Sequence, residues 1–498
     1  MKTPSLDLFN FIHSMSSAEK RYFKKDTRDS NTLDLFDIIN EMEEYDEEIV
    51  KNRLKDSSYA GNLKVHKNRL QQILLKNLRS YNEEKTAQSR IKVLIDNCEI
   101  FLKKKLYDQA LTQLDKAIQY CENYEEFELK LQALGIKSRL SSYFTELDAL
   151  EQTPILEMEL CARQIQNYIQ HAIVNKQILH FLNTNRLAKQ QQIEKIESII
   201  KIEIIDKNQE PISSIAERMY LHSLALLSDV KGDLVSACSL TKRIVDKFET
   251  NPFIIEEKNT QYLNTIINYL DFCCRLPQAR KEVEKYIEKA ESHASLYEHL
   301  QPNLIYVYFS YLECLRRERN FETVSALFEL KIKPLISSFY LDNTFLAAKS
   351  YFLAVEANLA MRQYEIAGDL LRVLANAKQS LPTEFEIAVQ LAELLYHFEN
   401  FDFEFLENIL QSVQKKIRKF TIDSRFLENL INLFRRISKS NISEHKNLFQ
   451  LYRSAISSYE EDIYFKQLNS YIDLSAWFDA QIRKQTYIQV LNDRSRLG

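Results

Sequence analysis

Lys64, Lys67, Asn68 and Arg69 are residues of the types, at the spacing, that meet a nucleic acid: at the start of a helix, cations and an amide reach phosphates and base edges in a major groove. They open a run in which Lys64, His66, Lys67, Arg69, Lys76 and Arg79 occur with no acid between Asn62 and Ser80. Other chemistries are thinly represented. His171 and His180 are nine residues apart, which shares a helix face only loosely, so structural or surface roles are expected of them rather than metal binding. The adjacent acids Glu125–Glu126 and Glu256–Glu257 diverge on a helix and read as solvated faces, not as an acid–base pair. Gly61, Gly135, Gly232, Gly368 and Gly498 are isolated, so no glycine-rich loop can cradle a phosphate, and neither HExxH nor GxSxG occurs. No catalytic residue, cofactor or metal is therefore expected, and the chain is not expected to be an enzyme.

The elements that must carry these residues are helices. Five glycines and eight prolines in 498 residues leave little material for tight turns, against ordinary usage of about 7% and 5%. A 45% apolar content, with 28 Phe and 26 Tyr, supplies a core. The net charge of −4 comes from 70 acidic and 66 basic groups spread along the chain, so no global field recruits nucleic acid or anionic lipid. Seven cysteines without a CxxC pair read as buried, reduced thiols. The N-terminal MKTPSLDLFNFIHS carries Asp7 and lacks the pattern of a signal peptide. The longest charge-free run, Leu300 to Leu312, is shorter than the roughly 18 residues of a membrane span. A cytoplasmic location without membrane attachment is expected.

Residues 1–85 form a first subdomain. A capping box at Ser16 and Glu19 starts one helix, and further helices are expected at Thr32 to Met42, Asp46 to Lys55 and Asn62 to Tyr81. The acidic turn Glu41, Glu43, Glu44, Asp46, Glu47 and Glu48 balances the basic helix, which suits a cap on the rest of the chain. The alternative is a helix-turn-helix, although the connection from Asp56 to Gly61 is longer than the three or four residues usual in that motif. From 86 to 440 a helical hairpin recurs, shown by NCEIFLKKKLYDQALTQLDKA at 97–117, with a small residue opening its second helix. That position falls at Ala110, Ala237, Ala279, Val324 and Ala367; the last four are 42, 45 and 43 residues apart, and the first gap is 127. A period in the low forties indicates stacked antiparallel helix pairs, an α-solenoid. Between 120 and 215 the register blurs, with helices expected at Ile155 to His180 and Leu187 to Ile205. Pro211, Pro252, Pro302 and Pro382 mark helix boundaries, and Thr383 with Glu386 reads as a second capping box. Residues 441–498, with Trp477, are expected to cap the array and to fray at NDRSRLG.

The turn pairs Leu106–Tyr107, Asp233–Leu234, Asn320–Phe321 and Gln363–Tyr364, with the small residues after them, resemble tetratricopeptide repeats. The units exceed the usual 34 residues, lack that family's Trp and mostly lack its Gly. FIHSMSSAEKRYFKK, LLKNLRSYNEEK and KLYDQAL further resemble a group of uncharacterised bacterial helical-repeat proteins. The resemblance implies a right-handed superhelix whose first helices line a groove, here Asn264, Asn268, Asp271, Tyr306, Phe309, Arg316, Arg317 and Phe352. Arginines, amides and aromatics suit a peptide or a partner helix. The expected function is a non-catalytic scaffold binding a protein or peptide; the alternative is a DNA-binding regulator whose repeats sense a partner.

Overall fold

The computed structural model describes residues 6–55, 62–83, 85–141, 152–184, 189–205, 209–339, 344–376, 381–419 and 424–497. Among these residues all regular structure is helical and no strand occurs, as the scarcity of glycine and proline requires. The chain divides into two compact units, Met1–Ser223 with Lys247–Asn259, and Leu224–Asp246 with Thr260–Gly498.

In the first unit, the helices Asp7–Ser14, Ser17–Asp26, Ser30–Asn40, Glu47–Arg53 and Leu63–Asn82 share a core built on Ile12, Phe23, Leu35, Phe36, Leu70 and Leu74. The capping box forms as expected: the Glu19 amide donates to Ser16 Oγ, and the Ser16 amide donates to Glu19 Oε2 at 2.8 Å. The connection from Asp56 to Gly61 lies outside the described residues. A separate core gathers Ile91, Cys98, Ala110, Leu114, Ala117 and Cys121 from the helices Ala87–Lys103 and Tyr107–Tyr124. The blurred stretch holds one long helix, Gln152–Thr184, and a shorter one, Lys189–Ile200, that widens into a π turn at Lys201–Ile205. Leu187, where that second helix was expected to begin, lies outside the described residues. His171 is buried edge-on to Tyr220, and burial lowers its pKa.

One turn recurs seven times among the described residues. Lys105, Glu125, Gly232, Arg319, Arg362, Phe401 and Lys484 all have φ between 54° and 84°. Each is followed by an amide that donates back five residues, to the carbonyls of Phe101, Cys121, Ser228, Leu315, Asn358, His397 and Ala480. This is a Schellman closure, in which the left-handed residue lets the chain reverse while satisfying the helix's last carbonyls. At five of them, Lys105, Gly232, Arg319, Arg362 and Phe401, the residue five positions on is completely buried, namely Ala110, Ala237, Val324, Ala367 and Leu406, whereas Glu125 and Lys484 are followed by the half-buried Lys130 and the exposed Gln489. Ala279 departs from this pattern. Pro277 starts a tight 3-10 turn, Pro277–Glu282, in which Ala279 is only half-buried, and Val283 takes the fully buried place.

The second unit also corrects two smaller expectations. Thr383 is the first residue of the helix Thr383–Glu399; Pro382 occupies the N-cap and has no side-chain acceptor, so no capping box forms. The NDRSRLG tail continues the helix Tyr487–Leu497, where Arg494 is held by Asp473 at 3.1 Å and by Asp479 at 2.6 Å. Gly368 has a packing reason: a Cβ there would lie 2.6 Å from the Tyr396 hydroxyl of the next helix. Among the described residues no helix is long and apolar enough to cross a membrane.

Candidate functional site

The residues expected to line a groove divide into two sets. Asn264, Asn268, Tyr306 and Arg317 are exposed, on the helices Asn259–Arg275 and Leu304–Arg317. Phe309 is half-buried, and Asp271 accepts from Arg275 at 3.2 Å. Phe352 does not face a groove. It is completely buried on the helix Phe345–Ala360, with its ring centroid 4.8 Å from that of Tyr471 and 5.6 Å from that of Phe385. Arg316 is likewise committed inside the unit, because its Nε donates to Glu356 and its Nη2 to the Tyr471 carbonyl at 2.6 Å.

The basic helix loses one of its four candidate contacts in the same way. Lys67 Nζ donates to the Tyr45 hydroxyl at 2.8 Å and lies 3.5 Å from Glu47, leaving its side chain only 13% exposed. Lys64, Asn68 and Arg69 remain exposed.

Beside the Arg316–Glu356 pair the second unit opens a small cleft of about 30 Å³, with Glu356, Arg362, Tyr364, Glu399, Trp477 and Tyr487 in its lining. Local sequence explains why these side chains converge. Glu356 is the one charged residue in the run YFLAVEANLA, so its helix carries a carboxylate into the core. Arg362 is the left-handed turn residue after that helix, and Tyr364 begins the next. Glu399 is the last residue of Thr383–Glu399, and Trp477 lies on Leu474–Arg483, whose N-terminus is capped by Asp473.

Glu399 is the centre of the cleft's polarity. Its Oε1 accepts from Trp477 Nε1 at 3.0 Å and Gln481 Nε2 at 2.5 Å, and its Oε2 accepts from the Tyr364 hydroxyl at 3.3 Å. All three donors are neutral, and among the described residues Glu399 has no ion-pair partner. Burial raises its pKa above the usual glutamate value, although these hydrogen bonds and the Arg362 charge work in the opposite direction. Burial pushes Tyr364 up to about 12, so its hydroxyl stays a donor at neutral pH. Behind the cleft, Trp477 packs against Phe398, Phe434, Phe449 and Phe478 with centroids 5.3 to 6.2 Å away, which fixes the indole N–H on Glu399. Gln485, also in the lining, has a buried Oε1 with no hydrogen-bond partner.

Sequence reasoning missed this cleft, because Glu356, Glu399 and Trp477 are far apart in the chain. Two signals pointed toward it: the lone acid in an apolar helix, and the single tryptophan. Among the described residues no group of three or more His, Cys, Asp or Glu side chains is placed to hold a metal ion, and all seven cysteines are buried. No family model, no curated protein and no solved structure matches the chain.

Proposed function

We propose that this chain is a non-catalytic scaffold, a right-handed α-solenoid of stacked tetratricopeptide-like hairpins that binds a peptide or helix of a protein partner in the cytoplasm. The observation that carries the reading is the recurring Schellman turn, followed at Lys105, Gly232, Arg319, Arg362 and Phe401 by a completely buried residue five positions later. Turns at 319, 362 and 401 are 43 and 39 residues apart, the spacing of helix pairs that bury one another's faces. Such an array leaves polar and aromatic side chains on its uncommitted face. Asn264, Asn268, Tyr306 and Arg317 are of the types that anchor a peptide.

The test is affinity capture from native lysate with the full chain, with and without nuclease, followed by mass spectrometry. A protein partner that survives nuclease and is lost from a Tyr306→Ala, Arg317→Ala variant supports the scaffold. An empty capture removes it. The exposed Lys64, Asn68 and Arg69 sustain the second reading, a DNA-binding regulator. That reading predicts recovered nucleic acid, with an affinity that falls steeply with salt and is weakened by Lys64→Ala with Arg69→Ala.

A further inference from the structure

The cleft at Glu399 has an electrostatic asymmetry that hydrogen bonding alone does not resolve. Glu356 is matched by a guanidinium, but the Glu399 carboxyl sits among neutral donors, half-buried and walled by aromatic rings. In such surroundings a charge is weakly screened, and the group that compensates it best is a cation. The vacant acceptors agree. Oε2 has a single long hydrogen bond, and the buried Gln485 Oε1 has none. An ammonium brings three rotatable donors, whereas a carboxylate has none at neutral pH. Those three donors suit the acceptors left over, Glu399 Oε2 and Gln485 Oε1. Arg362, exposed at the rim without an ion-pair partner, raises the local potential without filling the site.

We propose that this cleft binds a primary ammonium group, presented as a lysine side chain by the protein partner, with Glu399 as its counter-ion. The cleft's chemistry stands on its own residues; only the source of the ammonium rests on the scaffold reading.

Trp477 is the chain's only tryptophan and donates to Glu399, so its fluorescence reports on the site directly. The full chain is titrated with n-butylammonium, which copies the end of a lysine side chain, and with n-butanol, its neutral counterpart. A saturable change in Trp477 emission is expected with the amine alone. Glu399→Gln keeps the shape of the side chain and should weaken binding about tenfold or more, the scale of one charge-assisted hydrogen bond. Arg362→Ala, at an exposed turn position, should tighten binding about threefold by removing a like charge. Equal responses to amine and alcohol, no response, or weaker binding in Arg362→Ala would overturn the site.

Two further arms fix the source. Nα-acetyl-lysine amide binding more tightly than putrescine supports a lysine side chain; the reverse order overturns that assignment in favour of a free polyamine. A captured partner whose binding is unchanged by Glu399→Gln overturns the lysine assignment while leaving the scaffold in place. Ammonium binding by a chain that captures no protein overturns the scaffold reading instead.

Discussion

At the residue scale the second unit's carboxylates show how surroundings decide a role. Glu356 is 4% exposed, and burial pushes its pKa up to about 7 against the opposing charge of Arg316. Removing Arg316 strands that acid. Arg316→Ala is expected to cost about 3–5 kcal/mol, read from urea unfolding followed by circular dichroism, whereas Arg316→Met combined with Glu356→Gln should cost much less. Similar losses in both variants would show that Arg316 acts through packing and not through its charge. Asp479 is the opposite case. Partial burial disfavours its charge, but hydrogen bonds from Arg494 at 2.6 Å and Arg453 at 2.9 Å outweigh this and hold its pKa below the usual aspartate value. A depressed folded-state pKa contributes stability above the unfolded-state value, and that contribution disappears as the pH falls through the folded one. Asp479→Asn should therefore destabilise the unit by about 2 kcal/mol at pH 7, and the difference should shrink toward zero in unfolding curves measured below pH 4. A gap that persists undiminished in acid would exclude the charge as its cause.

At the element scale the turns explain what could be read in the sequence and what could not. Helix interiors were legible because their apolar spacing is local: of Leu63, Leu70, Ile73, Leu74 and Leu78, expected on the buried face of the basic helix, Leu63, Leu70 and Leu74 are buried and Ile73 and Leu78 half-buried. The turn pairs were legible too, because a large apolar residue such as Tyr107, Leu234, Phe321 or Tyr364 begins the second helix each time. The left-handed residue before each pair was not legible, since only Gly232 among the five has the residue type that favours it. Long-range commitments were equally hidden. Nothing near Arg316 or Phe352 announces that Glu356 and Tyr471 will cover them, so both residues read as groove positions. The same turn makes a prediction. Lys105 has φ 61° and is exposed, so Lys105→Gly should relieve the left-handed strain and stabilise the first unit by about 1 kcal/mol. Lys105→Val should do the reverse. Thermal melts of the two variants moving in the same direction would show that the turn's backbone does not limit stability.

At the scale of the whole molecule the chain divides into two compact units, and because cooperativity follows shared burial each unit is expected to unfold in a transition of its own. The chain carries its own means of checking this. Trp477 is in the second unit and is its only indole, so tryptophan emission reports on that unit alone, while far-ultraviolet circular dichroism averages over helices in both. Leu114 is completely buried in the first unit, between Ala110 and Ala117 on the helix Tyr107–Tyr124. Leu114→Ala should remove about 2–5 kcal/mol from that unit through lost burial and the cavity left behind. Under urea, part of the dichroism transition should then move to lower denaturant while the Trp477 transition keeps its midpoint. If both signals move together by the same amount, the units unfold as one cooperative body, and the division into two units carries no energetic meaning.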